Sequence, residues 1–434
     1  MGFNLMKKKD FGLLIVGKFV SMIGSNMQQF ALALYVYALT GSALIFSTML
    51  SISILPRLLM SPVAGVFGDW FDRKKMIVRL DILNAVILGI FAYIFYVNSS
   101  FNLVSIYTLV ISLELTEIFY ESSSAGIIPS IVNKERMAEA RSLESMVLSI
   151  ARLLSPMIAA VIYGASGMFL VLVVNAISFL LSGLSEVFIH VPENHKRPDK
   201  INMNAFFVDV KEGLKIIKNN KFIRTVISLG TIVNFVIAPF FSVGFIVLIK
   251  EVLAATDYHY GIFQTVMALS MVTGPIVVSF VVKKIEVGKL CTAAFFIVSF
   301  IVLSVAIVPS TIFLSLFNGI LIPFIFLMVL SFGLGVTISI VNISIMTLFS
   351  EVVPLHAMGR TSTVLNLLVT IAIPIGQILF GFLYDTIFTS YVIIISGMIM
   401  LFAIIIFRKP MLQVADKEDV STKDSLGGQM AYEI

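Results

Sequence analysis

Gly65-Val66-Phe67-Gly68-Asp69-Trp70-Phe71-Asp72-Arg73-Lys74 is the stretch that decides how this chain is read. It joins two long apolar runs, one opening near Ala43 and the next near Met76. A small residue is followed by an acid four positions on, then by a basic pair. Gly65 lets a neighbouring helix approach closely. Asp69 can face the positive N-terminus of another helix. Arg73, Lys74 and Lys75 hold the connection on the cytoplasmic side of a membrane.

Outward from this loop, the composition is that of a polytopic membrane protein. Hydrophobic residues make up 59% of the 434 and charged residues 13%, against about 25% charged in soluble domains. The single cysteine, Cys291, excludes an intramolecular disulfide framework. His190, His195, His259 and His356 are scattered without metal-ligand spacing, so no metal or other cofactor is expected. The net charge of +5 comes from Lys and Arg placed in alternate loops, which is a topology signal and not a nucleic-acid footprint. Lys7, Lys8 and Lys9 precede an apolar run with no small-residue cleavage site. That run continues to spanning length and reads as an uncleaved first helix.

Spans need about 20 largely apolar residues. Twelve fit: 11–39, 43–67, 76–97, 101–131, 137–164, 167–190, 222–249, 258–282, 290–308, 318–349, 359–384 and 388–408. The connections sort by charge. Lys7–Lys9, Arg73–Lys75, Lys134 with Arg136, the 191–221 segment, Lys283, Lys284 and Lys289, Arg360, and Arg408 with Lys409 fall on one side. The other side carries a single basic residue, Lys250. Both termini are therefore expected in the cytoplasm, with the chain in the cytoplasmic (inner) membrane.

The expected organisation is an N-terminal six-helix half (1–190), a cytoplasmic linker (191–221), a C-terminal six-helix half (222–408) and a polar tail (409–434) without structure. In the linker, Phe206, Phe207, Val210, Leu214 and Ile217 recur at helical spacing with Lys211, Lys215 and Lys218 interleaved. Two readings stand: a helix on the membrane surface or a solvated linker helix. The halves echo each other, since Ile128-Pro129-Ser130-Ile131-Val132-Asn133 through Met137 resembles Phe349-Ser350-Glu351-Val352-Val353-Pro354 through Met358. The offset is about half the chain, as a parallel repeat requires.

The spacing from Gly65 to Lys74 resembles the G-x-x-x-D-x-x-x-[RK]-[RK] loop between helices 2 and 3 of major facilitator superfamily transporters. Thr40-Gly41-Ser42-Ala43, Pro56 and Pro62, and Glu121 through Ala140 look like the macrolide-efflux and enterobactin-exporter branch. The resemblance covers the first half and the twelve-helix layout and is thin in the second half. It implies the major facilitator fold, an all-α membrane protein of twelve transmembrane helices in two six-helix pseudo-repeats, and proton-driven export. One departure is Asp72, where the family commonly has Gly. The fifth span carries Ala151-x-x-x-Ser155-Pro156-x-x-Ala159-Ala160, which resembles the antiporter-type G-x-x-x-G-P-x-x-G-G motif with every small position kept small. Small residues allow close helix packing and Pro bends the helix.

A charge at bilayer depth costs roughly 2.5–3.5 kcal/mol on insertion scales, so it normally faces a partner or a water-filled cavity. Glu114, Glu117 and Glu121 lie on one face of the fourth span. The fifth span has Arg152 and Glu144, the second Arg57, the third Asp81, and the first Lys18, Asn26, Gln28 and Gln29. Depth counting lets Glu114 or Glu117 meet Arg152, either as a proton-coupling set or as a permanent pair fixing two helices. Asp81 and Glu121, with Arg73, read as part of the gate around Asp69. The second half has no deep acid or base, only amides such as Asn234, Asn342 and Asn366, with Gln264 and Gln377.

These readings lead to a proton-coupled exporter of an amphiphilic small molecule, acting as one copy in the lipid bilayer without a nucleic-acid partner. The alternative is a proton-coupled uptake permease for a small nutrient. Proposed cavity residues are Asn26, Gln29, Arg57, Asn234, Asn342 and Asn366. No nucleophile–base pair, metal set or phosphate-binding glycine loop points to an enzyme. Asp69 is expected to face the start of the eleventh span near Gly359–Thr361. Asp69→Asn should then express at the wild-type level yet abolish transport in vesicles, and normal transport by that variant would refute the gate reading.

Overall fold

The computed structural model describes residues 5–191, 211, 214–215, 217–218, 220–281, 285–353 and 355–430. Within these, the side chains of 62, 65–70, 221–222, 351–352, 355–357, 359–360 and 410–430 lie outside the description. The surroundings of Gly65, Asp69, Gly359 and Arg360, and most of the 191–221 linker, are therefore not part of it.

Every element among the described residues is helical: α1 (Lys9–Thr40), α2 (Ala43–Trp70), α3 (Arg73–Asn98), α4 (Leu103–Ala125), α5 (Ile127–Ile131), α6 (Met137–Val187), α7 (Lys221–Pro239), α8 (Asp257–Val281), α9 (Val287–Val305), α10 (Thr311–Ser315), α11 (Leu321–Val352), α12 (Leu355–Thr386) and α13 (Thr389–Met430). Short 3₁₀ and π segments join them. Ten helical stretches among the described residues are long and apolar enough to cross a membrane. One of these contains α6, which breaks into two arms at Gly167 (φ 67°, ψ −166°), a backbone conformation open to glycine. Helix α1, at 32 residues, also has the length, but Asn26, Gln28 and Gln29 dilute its hydropathy. The two arms of α6 and the length of α1 are compatible, among the described residues, with the twelve spans read from the sequence.

Local chemistry sets the ends of these helices. Gly41 closes α1 in the left-handed region (φ 59°), its N–H donating to Tyr37 O at 2.9 Å. Asp72 caps α3: its Oδ1 accepts from the Lys75 backbone N–H at 3.1 Å, and its Oδ2 pairs with Lys75 Nζ at 3.1 Å. Burial pushes the Asp72 carboxyl up, but the Lys75 amide and ammonium outweigh it and hold the group below its ordinary value. The cap thus accounts for an acid where the family commonly has Gly. At the far end, the apolar stretch of α13 stops at Lys409 while the backbone stays helical to Met430. This differs from the structureless tail expected for 409–434.

The chain forms two compact units, the first comprising Met1–Phe206 and Thr256–Thr265 and the second Phe207–Ala255 and Val266–Ile434. In the first, α1 packs against both arms of α6, α3 against α6 and α4, and α2 against α4. Glycine makes the α1–α6 approach possible. A Cβ on Gly17 would lie 2.4 Å from Ser185 Oγ, and one on Gly24 would lie 2.2 Å from Ser178 Oγ and 2.3 Å from Asn175 Oδ1. Asn175, Ser178, Ser182 and Ser185, spaced three, four and three apart, place a polar stripe on one face of α6. Below them, at the end of the bundle that carries Arg73–Lys75, Phe11, Leu14, Ile15, Ile77, Tyr120, Ile128 and Ile189 join one apolar cluster.

In the second unit, α7 packs against α12 and α13, and α9 against α11 and α13. Helices α8 and α11 meet through a reciprocal glycine–serine contact. A Cβ on Gly274 would strike Ser339 Cβ at 2.2 Å, and one on Gly335 would strike Ser270 Oγ at 1.8 Å. Two π-helical stretches, Phe240–Gly244 and Leu248–Val252, continue α7. Gln377 Nε2 donates to Ser242 Oγ at 3.3 Å there.

Gly24→Leu should lower the thermal midpoint of the detergent-purified protein, because overpacking a filled contact costs about 1–3 kcal/mol. Gly89→Ala, where an added Cβ meets nothing within 4 Å, should leave the midpoint unchanged.

Candidate functional site

The first unit encloses a cavity of about 410 Å³. Helix α1 contributes Lys18, Ser21, Asn26 and Gln29, α2 Arg57, α3 Asp81, α4 Glu114, Glu117, Tyr120 and Glu121, and α6 Arg152 and Asn175. Apolar walls come from Met22, Met49, Leu113, Leu148 and Phe179, among others. The three glutamates reach the same space because positions 114, 117 and 121 share one helix face.

Most of these charges are paired. Arg57 Nε donates to Glu114 Oε1 at 2.7 Å and Arg57 Nη1 to Glu121 Oε2 at 2.6 Å, so one guanidinium spans two glutamates. Lys18 Nζ donates to Glu144 Oε1 at 2.7 Å, and Arg141 Nη1 donates to Glu144 Oε2 at 2.8 Å. The Lys18–Glu144 pair is largely buried, at 16% and 11% side-chain exposure. Among the described residues, Glu117 makes no ion pair or hydrogen bond, and neither does Arg152. Asp81 is 1% exposed and both its carboxylate oxygens lack a hydrogen-bond partner.

The Glu114 pairing differs from the sequence reading, which set Glu114 or Glu117 against Arg152. Glu114, Glu117 and Arg152 line one cavity, but Glu114 pairs with Arg57 instead. Helix α4 packs on α2 and α3, whereas the first arm of α6 packs on α1. Arg57 therefore reaches the glutamates and Arg152 stays exposed in the cavity wall.

Of the residues proposed for the substrate, Asn26, Gln29 and Arg57 line this cavity, and the Asn26 Nδ2 is buried without a partner. Asn175 Nδ2 donates to Gln28 Oε1 beside them. Asn234, Asn342 and Asn366 belong to the second unit, the first half-buried and the other two exposed within it. Of the gate motif, Arg73 Nη1 donates to Gly126 O at 3.2 Å and Lys74 is half-buried in the first turn of α3. Ala151, Ser155, Ala159 and Ala160 are buried around Pro156, inside the helix. Ser155 Oγ contacts Ala151 O at 2.6 Å and Ile23 O at 3.5 Å, so the small residues serve the close approach of α6 to α1.

Sequence reasoning passed over Tyr120 and Glu186. Tyr120 Oη donates to Glu186 Oε1 at 2.8 Å, and Glu186 is fully buried. A signal was present: Glu186 is a lone acid in an apolar span, three residues past the glycine of Ser182-Gly183.

Comparison with known proteins agrees with this architecture. Residues 2–433 match the transmembrane secretion effector family, and the chain belongs to that family of major facilitator superfamily transporters. Macrolide efflux protein A of Streptococcus pyogenes is 22% identical over 414 residues, covering 95% of this chain and 98% of the relative. The MFS-type transporter YkuC of Bacillus subtilis is 23% identical over 372 residues, covering 83% and 82%. Among solved structures, a bacterial homologue of the iron transporter ferroportin in an inward-facing state aligns with a TM-score of 0.72 at 14% identity, covering 92% of this chain and 98% of that one. The nucleoside transporter NupG aligns at 0.73 and 12%, with the same coverage. The chain is thus a multi-pass membrane transporter for small molecules, and not an enzyme.

Lys18 and Glu144 should respond unequally to substitution. Glu144→Gln strands a buried ammonium and should cost about 3 kcal/mol. Lys18→Met leaves Glu144 with Arg141 and should cost less. Thermal unfolding of the two variants in detergent checks the order.

Proposed function

We propose that this transporter exports amphiphilic small molecules across the cytoplasmic membrane in exchange for protons, by alternating access. The observation that carries the reading is Glu117. It is an unpaired carboxylate on the wall of a mixed polar and apolar cavity, beside an arginine already committed to Glu114 and Glu121. A carboxylate so placed takes up a proton when its surroundings dry and releases it when they wet. Glu114 can exchange its hold on Arg57 for a proton, and Arg152 offers a positive charge that competes with one. Of these three, Glu117 is the primary coupling residue.

The cavity suits an amphiphile. Its volume falls within the roughly 300–1,000 Å³ of small-molecule sites. Methionine, leucine and phenylalanine supply an adaptable apolar wall, while Asn26 and Gln29 supply hydrogen bonds. A polyhydroxylated substrate would need many more polar partners, since a buried hydroxyl left unpaired costs about 1–3 kcal/mol. Export is favoured by the likeness to proteins named for macrolide efflux and by the small-residue and proline motif of the fifth span. The basic loops support a topology with both termini in the cytoplasm. Gly65, Asp69, Arg73 and Lys74 form the gate of this cycle, in a chain that works as a single copy.

Inverted vesicles carrying the protein should accumulate lipophilic dyes only when a pH gradient is imposed. Glu117→Gln should abolish the gradient's effect while dye binding persists. Full pH-driven transport by Glu114→Gln and Glu117→Gln, singly and together, would overturn the assignment. Saturable hexose uptake with no action on any amphiphile would overturn the substrate class.

A further inference from the structure

Beneath the cavity, Asp81 and Glu186 are brought near each other where α3, α4 and the second arm of α6 converge. Their alignment follows from the helix geometry. Helices α3 and α4 run antiparallel, and Thr116 Oγ1 donates to Asn84 Oδ1. One turn nearer the basic end, Asp81 on α3 stands level with Tyr120 on α4. Gly183 brings α6 against this point, since a Cβ there would lie 3.2 Å from Asp81 Cβ. Glu186 follows Gly183 by one turn on the same face, and its Oε1 takes the Tyr120 hydroxyl at 2.8 Å.

The resulting group of oxygens has too few hydrogens. Asp81 is 1% exposed, and Glu186 and Ser182 are fully buried. Asp81 Oδ1 and Oδ2, Glu186 Oε2 and Ser182 Oγ all lack a hydrogen-bond partner. The Ser182 hydroxyl faces Asp81 without closing a hydrogen bond to it. The facing charged and titratable groups are Lys18 on α1 and Glu117 and Tyr120 on α4. Lys18 is held by Glu144 at 2.7 Å, Tyr120 is spent on Glu186, and Glu117 is itself an acid. Two buried carboxylates without a cation cost several kcal/mol per charge, and a group that binds a cation there removes that cost.

We propose that Asp81 and Glu186 form a proton-binding site separate from Glu117, holding one proton between them. The proton arrives from cavity water. An O–H bond forms on one carboxylate, and the pair is left with a single negative charge that the Tyr120 hydroxyl hydrogen-bonds. Release returns the proton to water and breaks that bond. Access is from the cavity, because Asp81 lines it. On the opposite side, Tyr120 belongs to the apolar cluster with Leu14, Ile15, Ile77 and Ile189. A proton suits the site better than a metal ion, since no group of three or more acidic, histidine or cysteine ligands forms among the described residues. Its use in transport rests on the proton-exchange reading above, whereas its existence does not.

Infrared difference titration of the purified full-length protein tests it without transport or substrate. In a Glu114→Gln/Glu117→Gln background, a pH-sensitive band of a protonated carboxylic acid should remain. Adding Asp81→Asn or Glu186→Gln should remove it. Tyr120→Phe, which keeps both acids, should retain the band at a shifted frequency and so decides the matter if the other variants fail to fold. Replacing choline chloride with sodium chloride should leave the titration unchanged. Absence of the band in the background protein, a band indifferent to all three substitutions, or its displacement by sodium would each overturn the proposal. Failure of Glu117→Gln to uncouple transport would leave this result untouched, so the two readings fail separately.

Discussion

The close approach of α1 to the two arms of α6 is the constraint on which the first unit depends. In a bilayer, lipid tails are as apolar as leucine, so helices associate through packing and hydrogen bonds and not by escaping water. Gly17 and Gly24 remove the side chains that would hold α1 away from Ser185, Ser178 and Asn175. Ala151, Ser155, Ala159 and Ala160 do the same from the first arm. Only with that contact closed does Lys18 reach Glu144.

Charge pairing then determines what remains free. Arg57 is shared by Glu114 and Glu121, and Glu144 is shared by Lys18 and Arg141. Each arrangement offsets charges that would be costly in the membrane, with one net negative charge left around Arg57 and one net positive charge around Glu144. Glu117, Asp81 and Arg152 are left over in the cavity wall. Their charge state has no ion-pair partner to fix it. A fully paired cavity would be a structural core, whereas this one keeps groups able to meet a ligand or a proton.

The two units use small residues alike and polar residues differently. Gly274 against Ser339 and Gly335 against Ser270 repeat in the second unit the glycine–serine contacts of the first. Among its described residues no acid or base is fully buried, and Gln377 and Ser242 make a polar contact there. The π-helical stretches after α7 sit beside that contact, where a widened turn shifts the register of the helix.

Apolar run length and loop charge were enough to establish an all-helical, multi-pass membrane chain, because spanning length and lysine placement are properties of consecutive residues. The motif from Gly65 to Lys74 carried the family for the same reason. The one-face alignment of Glu114, Glu117 and Glu121 was legible from helical period alone. Which helix stands beside which was not legible, since neighbours are chosen by side-chain packing between residues far apart in the chain. That choice gave Glu114 to Arg57 and not to Arg152, and it brought Glu186 to Tyr120 across 66 positions. The sequence by itself determined the class of the protein and the helix faces that carry charge. The tertiary structure alone decided which charges are cancelled and which stay available, because an ion pair is a property of distance in space and not of spacing along the chain.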